Sequence, residues 1–93
     1  VNEEENNLLK LASWVKISSY RNRIMIALGD KLKTPSVLAK DTGIKINHIS
    51  KFLTELKQNG LIVCINEDAK RGRLYQMTDL GFKVLQKSKM IGD

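Results

Sequence analysis

The sequence predicts an α+β domain that is mainly α. Three observations predict it. Apolar residues recur at helical spacing through most of the chain, and these stretches are bounded by capping residues. Only two short runs, 61–66 and 73–78, are β-branched or aromatic in the manner of strands.

In "NNLLKLASWVKI", Asn6 to Ile17, the residues Leu8, Leu11, Ala12 and Val15 fall at helical spacing, with Asn6 or Asn7 as the expected cap. "SSYRNRIMIALG" follows. Ser18 or Ser19 can cap it, Tyr20, Ile24, Ala27 and Leu28 share a face, and Gly29 ends it. "TPSVLAKDTG" is a short helix: Thr34 is a good N-cap, Pro35 suits the first helical position, and Gly43 suits the left-handed C′ position.

"IKINHISKFLTELKQNG" makes a longer helix that stops at Asn59-Gly60. At 100° per residue, Ile46, Ile49, Phe52, Leu53 and Leu56 gather on one side. Asn47, Lys51, Thr54 and Gln58 lie opposite, with His48, Ser50 and Glu55 at the margins. "LIVCIN" and "RLYQMT" read as a hairpin around the loop "EDAKRG", where Gly72 permits a positive φ. Finally, "TDLGFKVLQKSKM" is a helix capped by Thr78. Asp79 in its first turn, and Lys87 and Lys89 in its last, complement the helix dipole.

The 93 residues make one domain: an N-terminal helix over 1–17, a central unit over 18–78 and a C-terminal helix over 79–93. No run approaches the roughly 20 apolar residues of a membrane span, and the acidic start, Glu3 to Glu5, is not that of a signal peptide. The lone Cys64 reads as a small buried hydrophobe in a reducing, cytoplasmic setting. His48 has no second histidine, so neither metal nor other cofactor is expected. Enzymatic chemistry is not expected either: there is no phosphate-cradling glycine loop, no Cys–His partner set and no carboxylate pair with a reason to be buried.

Charge points to a partner. Sixteen Lys and Arg against ten Asp and Glu leave +6, and without Glu3, Glu4, Glu5 and Asp93 the body is sixteen basic against six acidic, or +10. An acidic tip on a basic body favours an anionic partner, nucleic acid ahead of membrane.

The glycine turn between the third and fourth helices has helix-turn-helix spacing. Ala39 supplies the small side chain, Gly43 the turn four residues on, and Ile49 the plug six residues further. With the hairpin behind it, the stretch from Thr34 to Leu85 resembles a winged helix-turn-helix DNA-binding domain. It is similar to small archaeal transcriptional regulators related to the metal-sensor and multidrug-resistance repressor superfamily. The resemblance covers about residues 18 to 86, and the frame from Leu56-Lys57 through Asn59-Gly60-Leu61-Ile62 to Gly72-Arg73-Leu74-Tyr75 and Met77-Thr78-Asp79-Leu80-Gly81 is its most specific part. One departure is Lys45, where the family usually has a serine or threonine cap. Lysine cannot accept the helix's free N–H groups, so that end frays, finds another acceptor, or adds a cation at the DNA.

The resemblance implies a two-stranded β-hairpin wing, extra N- and C-terminal helices, and a double-stranded DNA partner. Its recognition helix, about 46–59, would enter the major groove. Asn47 suits adenine, Lys51 suits guanine or phosphate, and His48 and Thr54 are adaptable donors and acceptors. Ser36 and Ser50 suit phosphate, and Lys45 stands beside them. The wing, about 66–73, would set Lys70, Arg71 and Arg73 on the backbone or in the minor groove, with Leu74 or Tyr75 anchoring it. Glu67 and Asp68 would repel phosphate there unless they pair or point away. Arg21 and Arg23 either reach backbone or pair with acids of the same domain. A solvated face is the plain reading for all of these polar residues, and for Lys83, Lys87 and Lys89 it is the preferred one.

The expected function is therefore a sequence-specific DNA-binding transcriptional regulator. It would act as a homodimer through "LLKLASWV", with Trp14, and "FKVLQKSKMI". The alternative is a winged-helix protein–protein module, for which an apolar patch on the same face would speak. RNA binding comes third for want of an aromatic platform. No effector is specified.

Overall fold

The computed structural model describes residues 2–91. Among them are five helices and two strands: α1 (Glu3–Lys16), α2 (Ser19–Leu28), α3 (Pro35–Thr42), α4 (Ile46–Gln58), β1 (Ile62–Cys64), β2 (Tyr75–Met77) and α5 (Asp79–Met90). The architecture is α+β and mainly helical, with one two-stranded antiparallel sheet.

Helix α1 starts three residues before the expected Asn6. The Asn2 side chain accepts from the Glu5 amide at 2.8 Å and so caps it. Glu3, Glu4 and Glu5 then occupy the first turn, where negative charge suits the helix dipole. They are part of the helix, not a loose acidic tip.

Helices α2 and α3 follow the sequence reading closely. Ser18 caps α2 and Thr34 caps α3, with Pro35 first in line. Gly43 has φ +74°, the left-handed value that closes α3. The buried face of α2 is Ile24, Met25 and Leu28, while Tyr20 stays 37% exposed. In α4, Ile49, Leu53 and Leu56 are buried, but Ile46 is 49% exposed. Ile46 is the first residue of α4 and falls beyond the core, and Ile44 in the turn is buried in its place.

The strands are shorter than their sequence runs, three residues each, in the register Ile62↔Met77, Val63↔Gln76, Cys64↔Tyr75. The segment before α3 borders β2 as well. Lys33 and Tyr75 exchange two backbone hydrogen bonds, 3.1 and 2.9 Å. A one-residue bridge leaves no periodic signal.

One core joins all of these elements. Ala12 and Val15 of α1 and Val84 and Leu85 of α5 are buried in it with Ile24, Leu38, Leu53, Leu56 and Met77. The terminal helices pack against each other within the chain. They close the core and are more than appendages. Helix α5 is seated on the base of the hairpin: Thr78 N–H donates to the Leu61 carbonyl at 3.0 Å, and the Thr78 hydroxyl accepts from Gly81 N–H at 3.0 Å. No helix among the described residues is long and apolar enough to cross a membrane.

Candidate nucleic-acid interface

Two surfaces of the sequence reading meet through α4: its outward face and the loop between β1 and β2. The turn into α4 is built by Thr42. Its hydroxyl donates to the Leu38 carbonyl at 2.7 Å and accepts from Ile44 N–H at 3.2 Å, fixing how α4 leaves α3. Lys45 holds the N-cap position of α4 with no side-chain capping bond. Its ammonium is therefore available at an end where amide N–H groups are left over.

From Lys45 onward, Asn47, His48, Ser50, Lys51 and Thr54 are all exposed, and so is Ser36 in the first turn of α3. The Thr54 hydroxyl donates to the Ser50 carbonyl at 3.0 Å, so it offers a partner only acceptor capacity and a methyl. Glu55 is the one carboxylate of the helix. It pairs with Arg21 at 3.2 Å, and Arg21 also donates to the Trp14 carbonyl at 2.9 Å while its guanidinium lies 4.0 Å from the Trp14 ring centroid. Arg21 thus ties α1, α2 and α4 together. Trp14, placed in the dimer interface by the sequence reading, is partly buried against the core of its own chain. Arg23 donates to the Thr42 carbonyl at the end of α3.

The loop is a folded object. The Asn66 carboxamide accepts from Leu74 N–H at 2.7 Å and donates to the Gly72 carbonyl at 3.2 Å, so one side chain spans the loop's two limbs. Arg73 donates to the carbonyls of Ala69, at 2.9 Å, and Glu67, at 3.1 Å. Gly72 has φ +67° and open space around it, so the backbone alone demands glycine there. Arg73 braces the loop from within, whereas Lys70 and Arg71 are exposed and make no hydrogen bond or ion pair among the described residues.

Glu67 is held by Lys57, from the last turn of α4. That hydrogen bond holds the Glu67 carboxyl below its ordinary value and the Lys57 ammonium above its own. The pair neutralises the carboxylate and fixes the loop against α4. Asp68 is exposed and has no ion-pair partner among the described residues.

Tyr75 is buried and Leu74 half-buried, so Tyr75 is the main anchor of the return strand. Cys64 is buried and free of any disulfide. No cluster of three or more His, Cys, Asp or Glu that could hold a metal occurs among the described residues. Two features were not read from the sequence, the Asn66 bridge and an aromatic contact between α2 and α4. An asparagine directly after an apolar strand was the available sign of the first. Nothing in the spacing signalled the second. No protein-family model matches the chain and no curated protein matches it significantly, so the geometry of this surface carries the functional reading.

Proposed function

We propose that the chain is a winged helix-turn-helix transcriptional regulator that binds double-stranded DNA. Helix α4 enters the major groove and the loop between β1 and β2 acts as a wing on the backbone or in the minor groove. One observation carries this reading. Lys45, Lys51, Lys70 and Arg71 are exposed without ion-pair partners, while the nearby carboxylates Glu55 and Glu67 are each paired with a basic residue. Asp68 is the one carboxylate of α4 and the loop without an ion-pair partner among the described residues, the four cations outnumber it, and a polyanion fits the surface. Asn47, His48 and Ser50 give the same helix neutral donors and acceptors for base edges.

The terminal helices support a homodimer through what they leave uncovered. Ala12, Val15, Val84 and Leu85 are used within the chain, but Leu9, Ile17, Leu80, Phe82 and Met90 are exposed. A protein-interaction module is the second reading, favoured by the exposed Ile46, Val63 and Ile65.

Fluorescence anisotropy on a mixed-sequence duplex across a salt series tests both. Wild type should show a slope of log K against log salt of about −3.6 for each chain bound, from about −0.9 for each of four phosphate contacts. Lys70→Ala/Arg71→Ala should shallow it by roughly 2. Two chains per duplex at saturation check the dimer. Absence of binding at low salt refutes the DNA reading and leaves the protein module.

A further inference from the structure

Three aromatic rings that the sequence scatters over two helices stand together beside the outward face of α4. The Tyr20 ring of α2 packs edge-on against His48, with centroids 5.9 Å apart, and against Phe52, 5.5 Å apart. His48 and Phe52 are one turn apart on α4, so Tyr20 is held between them. Two cations flank the group. The Arg23 guanidinium carbon is 5.6 Å from the Tyr20 centroid, and the Lys51 ammonium is 5.8 Å from that of Phe52.

Tyr20 is partly exposed, and its hydroxyl makes no hydrogen bond among the described residues. Carboxylates do not compete for it: Glu55 is bound by Arg21 and Asp41 by Lys33 at 2.8 Å. A packed ring whose hydroxyl has no partner, with the Arg23 guanidinium against the same ring, is suited to one anionic oxygen at a fixed place. With α4 in a major groove, the polyanion beside this flank is the backbone bordering that groove.

We infer that Tyr20, with Arg23 beside it, is a phosphodiester-binding position on α2, a third contact region besides the recognition helix and the wing. The inference rests on the DNA reading above. It makes Tyr20 an interface residue, because the ring is packed while the unpartnered hydroxyl is left for a ligand. A hydroxyl contact adds affinity without releasing a counterion. Arg23 adds both.

Tyr20→Phe tests this, since it keeps the ring packing and deletes only the hydroxyl. Duplex affinity should fall roughly three- to tenfold, the worth of one hydrogen bond. The salt slope and the thermal midpoint should stay those of wild type. Arg23→Gln should shallow the slope by about 0.9. Equal duplex affinity of Tyr20→Phe and a binding-competent wild type overturns the inference and leaves the DNA reading standing. Failure of wild type itself to bind the duplex at low salt overturns both.

Discussion

Gly81 is the position where one added methyl group should do the most harm. It lies in the first turn of α5, with no unusual backbone angle that would demand glycine. On helix propensity alone, alanine there would stabilise by up to about 1 kcal/mol. Packing says the opposite. A Cβ at Gly81 would run into the Leu61 carbonyl oxygen, and the carbonyl carbon is 3.1 Å away. The obstacle is backbone, so no rotamer change relieves it. Either α5 lifts from the hairpin base or the Leu61 peptide moves. Both strain the bonds that seat α5: Thr78 N–H to Leu61, the Thr78 hydroxyl to Gly60 at 2.7 Å, and Gly81 N–H to Thr78. Overpacking costs about 1–3 kcal/mol and each strained hydrogen bond about 1 kcal/mol. With one to three of these bonds strained, and after the propensity gain, a net loss of about 1–5 kcal/mol remains, or roughly 4–40 °C in thermal midpoint for a domain this small. Circular dichroism melts and urea titration of Gly81→Ala read it directly. A midpoint equal to or above wild type would refute the seating of α5 on Leu61.

Two further predictions concern the loop. Arg73→Lys keeps the charge but not the fork that bridges the Ala69 and Glu67 carbonyls. It should weaken duplex binding several-fold at unchanged salt slope, by anisotropy, with faster amide exchange over residues 66–73 by NMR. The Glu67 carboxyl should titrate below its ordinary 4.5 in a carbon-detected NMR series, and Lys57→Met should return it there. The charged form of Glu67 is the one favoured in the folded chain. Its tie to α4 is therefore complete at neutral pH and is lost as pH falls through the lowered value.

Local signals carried the elements well, for reasons seen in particular residues. Ser18, Thr34, Pro35, Gly43 and Thr78 each act within a few residues of their own positions, and their chemistry permits few alternatives. The start of α1 was misplaced because two asparagines further on looked equally good as caps, and only the real hydrogen bond selects Asn2. Ile46 shows the limit of periodicity, since a helix's first residue can lie on the apolar side and still overhang the core. Of the candidate interface, residue type revealed which groups are cationic but not which are already in use. Arg71 and Arg73 are two positions apart in one loop and look alike in sequence. Only the folded backbone directs Arg73 to carbonyls and leaves Arg71 outside.

That division of the cations is what gives the surface its character. Arg21, Lys33 and Lys57 each take a carboxylate, and Arg73 takes two carbonyls. These contacts join α2 to α4, the segment before α3 to α3 itself, α4 to the loop, and the loop's limbs to each other. Each internal ion pair removes a negative charge from the surface as well as orienting an element. Ion pairs near the surface contribute little to stability, so their larger consequence here is electrostatic. With Glu55 and Glu67 paired, the field over α4 and the loop is set by Lys45, Lys51, Lys70 and Arg71 against Asp68 alone. Removing Lys57 would therefore do more than delete a positive charge. It would release Glu67 beside Lys70 and Arg71 and free the loop from α4, two effects that weaken a polyanion's hold in the same direction.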